Sequence, residues 1–92
     1  MHVVVAYDVV DNRRRARLAR FLVGYLERVQ KSVFEGEIEE RRYMPMKEGI
    51  DKLIEQAEDT VRIYHLCGRC REGVEVIGTG FWIEEMEDDV IL

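Results

Sequence analysis

The chain opens on a β-branched run, His2-Val3-Val4-Val5-Ala6-Tyr7, which has the length and composition of a strand and ends at Asp8. Asp11 or Asn12 can then cap a helix, because either side chain accepts from the free amides of a first turn. Leu18, Phe21, Leu22, Tyr25 and Leu26 fall at helical spacing and predict a helix with one face against a sheet; Gly24 lies inside the pattern and weakens it slightly. Residues 28–40 read as extended around Val29, Val33-Phe34 and Ile38, with Ser32 a kink between two short paired strands and Gly36 a candidate bulge. Pro45 suits a first helical turn, and Met46, Ile50, Leu53, Ile54 and Ala57 repeat as a second amphipathic helix. Residues 60–67 alternate as a strand, 68–73 read as a loop, and 74–77 as another short strand. The tail carries Phe81-Trp82-Ile83, an acidic stretch over 84–89, and Val90-Ile91-Leu92.

The order is therefore β-α-β-β-α-β with an extra C-terminal strand or two. With right-handed crossovers this predicts an α+β, ferredoxin-like sandwich whose two helices cover one face of an antiparallel sheet. The other face needs a cover, and a two-fold partner is the economical one. The expected state is a homodimer of a single domain spanning 1–92, with a tail from about residue 80 packing on the partner.

Ninety-two residues, 47% apolar and 36% charged, make one globular domain rather than a disordered chain. A chain this short buries only about 60–65% of the surface its unfolded form exposes, which also favours association. No apolar run approaches the ~18 residues of a membrane span, and the start lacks the features of a signal peptide, so a cytoplasmic protein is expected. The net charge of −5 is unevenly spread. Residues 1–33 hold seven Lys/Arg against three Asp/Glu, and the remainder seven against sixteen. An acidic chain with a basic first third can still bind phosphates locally.

Asp8, at the C-terminal edge of a strand, can hold a hard cation such as Mg²⁺ or cap the following turn. Arg13, Arg14, Arg15, Arg17 and Arg20 place five of the fourteen cations within eight residues. At ~100° per residue, Arg13 and Arg20 lie opposite the apolar stripe and Arg17 on its flank, where they can meet phosphates or form a solvated, salt-bridged face. Arg14 and Arg15 should project from the helix start back toward Asp8, to pair with it or hold a substrate phosphate. Cations in a first turn oppose the helix dipole, so stability alone does not favour them there. Cys67-Gly68-Arg69-Cys70 has the spacing of a zinc knuckle or redox pair, but no second cysteine pair completes a zinc site, and reduced loop cysteines are the simpler reading. His2 and His65 find no serine placed to complete a triad, and Gly78-Thr79-Gly80 lacks the context of a phosphate loop.

Taken together, Tyr7-Asp8 closing the first strand, Arg15 and Arg17 on the next helix, the segment Arg28-Val29-Gln30-Lys31-Ser32-Val33-Phe34-Glu35-Gly36, and the late Val76-Ile77-Gly78 resemble the Cas2 family. These are small CRISPR-associated proteins of the spacer-acquisition module. The resemblance implies a ferredoxin-like homodimer whose C-terminal strand crosses to the partner, with Asp8 of both subunits facing a shared cleft and holding Mg²⁺ or Mn²⁺. It implies cleavage of single-stranded RNA or duplex DNA, and a bridging role that joins integrase subunits and holds the incoming DNA. Arg15, Arg17, Arg28 and Phe34 match positions that matter in that family. The Cys67–Cys70 pair and the acidic tail depart from its pattern.

Two main expectations follow. One is a phosphodiesterase in which a metal on Asp8 assists attack on phosphorus. The other is a non-catalytic scaffold whose basic helices contact phosphates without reading bases. A third is a toxin-type ribonuclease of the same fold acting alone on messenger RNA.

Overall fold

The computed structural model describes residues 1–78. Strand β1 (His2–Asp8) leads through helix α1 (Asn12–Val23) to β2 (Glu27–Gln30) and β3 (Val33–Glu37). Helix α2 (Glu40–Leu53), β4 (Thr60–Leu66) and a short α3 (Gly68–Glu72) follow. The sheet order is β2-β3-β1-β4 with every neighbouring pair antiparallel, which is the ferredoxin-like arrangement expected from the element order.

Strand alternation builds the core. Val3, Val5 and Tyr7 of β1 are buried with Phe34 and Ile38, against Leu18, Ala19 and Leu22 of α1 and Met46 and Ile50 of α2. His2, Val4, Ala6 and Asp8 take the opposite phase of β1, on the face away from this core. No helix among the described residues is long and apolar enough to cross a membrane.

The boundaries differ from the periodicity in instructive ways. Helix α1 ends at Gly24, whose amide bonds the Leu22 and Phe21 carbonyls, so Tyr25 and Leu26 lie beyond it. Leu26 still donates to the Leu22 carbonyl at 2.9 Å, and this tightened turn keeps the helical spacing that brings Leu26 into the core. The register shift falls between Arg28 and Gln30 in β2, not at Gly36 of the partner strand. Helix α2 starts five residues before Pro45, which therefore sits in its interior and removes the amide that would bond the Arg41 carbonyl. Glu40 in the first turn favours this earlier start through the helix dipole. The helix closes at Leu53, leaving Ile54 as its cap and Ala57 exposed in the next turn.

Residues 68–72 form α3 rather than a loop, started where the Cys67 carbonyl accepts from Arg71 at 2.9 Å. Residues 74–77 are not a strand in this chain. Val76 and Ile77 are exposed, and among the described residues no strand pairs with them. A strand exists only with a partner, so an apolar alternation alone cannot make one. The expectations for the tail, from Gly80 through Phe81-Trp82-Ile83 to Leu92, lie outside the described residues.

The helices meet at Gly49. A Cβ there would stand 2.1 Å from Phe21 Cζ, so α2 depends on a missing side chain to approach α1. Gly→Ala in a helix ordinarily gains ~1 kcal/mol. Gly49→Ala should instead lower Tm, by an overpacking cost of ~1–3 kcal/mol. In a Phe21→Ala background the same change should raise Tm, and thermal unfolding of the four proteins checks this reversal of sign.

Candidate functional site

Asp8 closes β1 exposed to solvent, at the mouth of a recess of about 230 Å³ lined by Tyr7, Asp8, Val9, Arg15, Lys31 and Ser32. That volume suits a hydrated ion or a phosphate group. The β2–β3 turn forms its far wall, pinned where the Tyr7 amide donates to the Ser32 carbonyl at 3.1 Å and the Tyr7 hydroxyl to the Lys31 carbonyl at 3.3 Å.

The segment after Asp8 is held from two sides. Arg15 Nε donates to the Val9 carbonyl at 3.0 Å, its Nη2 to the Val10 carbonyl at 3.2 Å, and its Nη1 to Asn12 Oδ1 at 2.6 Å. From the other side the Val10 amide donates to Asp59 Oδ1 at 3.0 Å. Arg15 therefore does turn back toward the end of β1, as its place on the helix predicts, but it bonds backbone carbonyls.

Arg14 turns elsewhere. It grips Asp59 with two nitrogens, Nε to Oδ2 at 2.8 Å and Nη2 to Oδ1 at 3.1 Å, and reaches Glu58 at 3.0 Å. The Asp59 side chain is fully shielded from solvent, and its Oδ2 also accepts the Glu55 amide at 2.8 Å. The Arg14 guanidinium holds the Asp59 carboxyl well below the usual carboxylate range; burial opposes this, and the Glu55 and Val10 amides assist it. Asp11 is the N-cap of α1, as expected for that position, and accepts from the Arg14 amide at 2.9 Å.

Arg13, Arg17 and Arg20 share a recess on the outer side of α1 with Asn12 and Ala16, and all three are exposed. Seven residues of helix set Arg13 and Arg20 about 10 Å apart along the axis, a span over which a backbone strand presents more than one phosphate. Arg28 lies with its guanidinium 5.5 Å from the Phe34 ring centre and its Nε on the Lys31 carbonyl at 3.2 Å. Phe34 is wholly buried and stacks on Tyr7. Tyr7, Phe34 and Arg28 thus meet at the β2–β3 turn behind Asp8, while Arg14 and Arg28 are engaged within the fold.

Asp8 is a hard oxygen donor, and Mg²⁺ is commonly held by one or two carboxylates with water completing its shell. Within one chain, no group of three His, Cys, Asp or Glu among the described residues is placed to hold a metal. The donor chemistry of Asp8 fits such an ion, with most of its shell left to water or to groups outside one chain.

Asp59, Lys31 and Ser32 escape sequence reasoning as parts of this site. Lys31 and Ser32 sit in the segment that carries the family resemblance, which is the one signal for them. Nothing local marks Asp59, because its partners Val10 and Arg14 are 49 and 45 residues away. His65 bonds Tyr43 at 2.9 Å.

The chain and its fold match known proteins. The family profile "CRISPR associated protein Cas2" matches residues 1–74. The CRISPR-associated endoribonuclease Cas2 1 of Chloroflexus aurantiacus is 39% identical and covers 100% of both chains. Among solved structures, Streptococcus pyogenes Cas2 superimposes with a TM-score of 0.76 at 31% identity, covering 85% of this chain and 100% of that one. A chain of a partial Cas6-RT-Cas1–Cas2 complex superimposes with a TM-score of 0.72 at 31% identity, covering 83% of each.

Because the folded pKa of Asp59 is depressed, its pairing stabilises the protein above the unfolded carboxyl value of about 3.9 and is lost as pH falls through the folded one. Asp59→Asn should therefore lower Tm at pH 7 and flatten the fall of Tm below about pH 4, where the unfolded wild-type carboxyl takes up a proton that the native pair still refuses. Thermal melts across pH for both proteins check this. An unchanged acid limb would sink the assignment.

Proposed function

Because the chain belongs to the Cas2 family of CRISPR-associated proteins, we propose that it is a homodimeric, metal-dependent endonuclease of CRISPR adaptation acting on single-stranded RNA or duplex DNA. The observation that carries this reading is the position of Asp8. It closes the central strand, exposed, on the sheet face the helices leave uncovered, with its following loop fixed by Arg15 and Asp59. A two-fold partner on that face would bring a second Asp8 to the same cleft and supply the missing donor.

Asp8 of each subunit would hold Mg²⁺ or Mn²⁺, which when bound polarises a phosphoryl oxygen and lowers the pKa of a bound water. The chain's own residues do the rest. Arg13, Arg17 and Arg20 bind backbone phosphates along the outer side of α1, without sequence preference. Lys31 stands beside Asp8 in the same recess, a cation that can steady a phosphate there, while Arg15 holds the loop that follows Asp8. Tyr7, Phe34 and Arg28 keep the β2–β3 turn, and with it Lys31 and Ser32, in place.

The presence of Cas1 in the solved complex that contains a Cas2 chain supports a Cas1-type integrase as a partner of this protein too. A second reading, a scaffold that holds nucleic acid without cutting it, is favoured by one observation. Asp8 is a single carboxylate per chain, whereas two-metal nucleases gather several acidic ligands.

Wild type and Asp8→Ala, incubated with labelled duplex DNA or single-stranded RNA in Mg²⁺, Mn²⁺ or EDTA, separate the two. Under the endonuclease reading, cleavage needs metal and Asp8→Ala loses at least about 100-fold of it, in keeping with the several kcal/mol a metal supplies. Binding without cleavage in either protein would leave the scaffold. Replacing Arg13, Arg17 and Arg20 by alanine should flatten the slope of log affinity against log salt by roughly 0.9 for each duplex phosphate that is no longer neutralised, measured by titration at several salt concentrations.

A further inference from the structure

The Cys67-Gly68-Arg69-Cys70 motif lies at the opposite end of β1 from Asp8. Residue 66 pairs with His2 in the sheet, and Cys67 follows it directly. Both cysteines are free and exposed. Their sulfurs stand 3.2 Å apart, inside van der Waals contact, because Cys67 caps α3 and Cys70 lies in its first turn. The Cys70 amide points back at Cys67 Sγ at 3.4 Å, so the two sulfurs have unequal surroundings. Arg69 and Arg71 flank Cys70, and Arg71 anchors α3 to β3 through Glu37 at 2.8 Å.

From this geometry we propose that Cys67 and Cys70 form a thiol–disulfide exchange site that accepts low-molecular-weight disulfides of the glutathione class, with Cys67 attacking and Cys70 resolving. The asymmetry supports the order of attack. The Cys70 amide, with the neighbouring thiol, holds the Cys67 thiol below its ordinary range, while the interaction with Cys67 pushes the Cys70 thiol up. Cys67, as thiolate, attacks one sulfur of the small disulfide; that S–S bond breaks and one small thiolate leaves. Cys70 gives its proton to water and attacks the Cys67 sulfur, forming the internal disulfide and releasing the second small thiolate. Two protein thiols are oxidised, and one small disulfide is reduced to two thiols.

The bridge would tie the end of β4 to the first turn of α3. Beyond α3 the chain runs out to the exposed apolar residues Val74, Val76 and Ile77.

The test is to incubate the folded protein with oxidised glutathione, quench with an alkylating reagent, and read intact and peptide masses. Wild type should form the internal disulfide, Cys70→Ser should accumulate a glutathione adduct on Cys67, and Cys67→Ser should react at Cys70 at least about 10-fold more slowly. Relative alkylation of the two cysteines within wild type gives the same ranking without any substitution. Equal reactivity at the two sites, two glutathione adducts without an internal bridge, bridges only between chains, or thiols that react only after a chelator strips metal would each overturn the proposal.

Discussion

The contact between Arg14 and Asp59 is the interaction on which the rest of the arrangement depends. A carboxylate shielded from solvent is tolerable only when paired and hydrogen-bonded. Asp59 meets that demand with two nitrogens of one guanidinium and two backbone amides. Those four bonds come from the junction between β1 and α1 and from the junction between α2 and β4. The pair therefore clasps two connections that lie far apart in the chain, at the end of the sheet where Asp8 emerges. Removing either partner would strand a charge, so the geometry after Asp8 is stiffly determined.

That clasp also explains how a first helical turn tolerates three consecutive arginines. Their charges oppose the positive end of the helix dipole. Asp11 caps the turn, Arg14 is neutralised by Asp59 and Glu58, and Arg15 is drawn onto the carbonyls of Val9 and Val10. Arg13 is left facing outward, in line with Arg17 and Arg20. One basic run is thus divided by the 3.6-residue period into a structural half and a solvent-facing half. The first shapes the surroundings of Asp8, and the second is available to phosphates.

The same division governed what could be read along the chain. Local regularities were legible: the alternation of β1, the Asp11 cap, and the stripe of Leu18 and Leu22. The element order they make leads to the sheet order through chain-crossing rules alone. Ends were less legible, because ends answer to tertiary contacts. Leu26 mimics helical spacing after the helix has stopped, and Pro45 looks like a start although Glu40 is the start. The alternation at 74–77 satisfies the pattern of a strand without having, among the described residues, a neighbour to bond.

The candidate site shows the same boundary between sequence and fold. Asp8 was visible because a carboxylate ending an apolar strand is a local fact, and the outward phase of Arg13, Arg17 and Arg20 follows from helix geometry. The CxxC spacing of Cys67 and Cys70 was equally plain, but their near contact depends on α3 beginning where a loop was expected. Whether Arg14 would face Asp8 or another acid lay beyond local reasoning, since its partner is 45 residues away. By itself the sequence determined the order of elements and which side chains share a face, because backbone periodicity sets both within a few residues. Only the tertiary structure decided which charges are neutralised and which stay open, because that depends on which distant segments are brought within hydrogen-bonding distance.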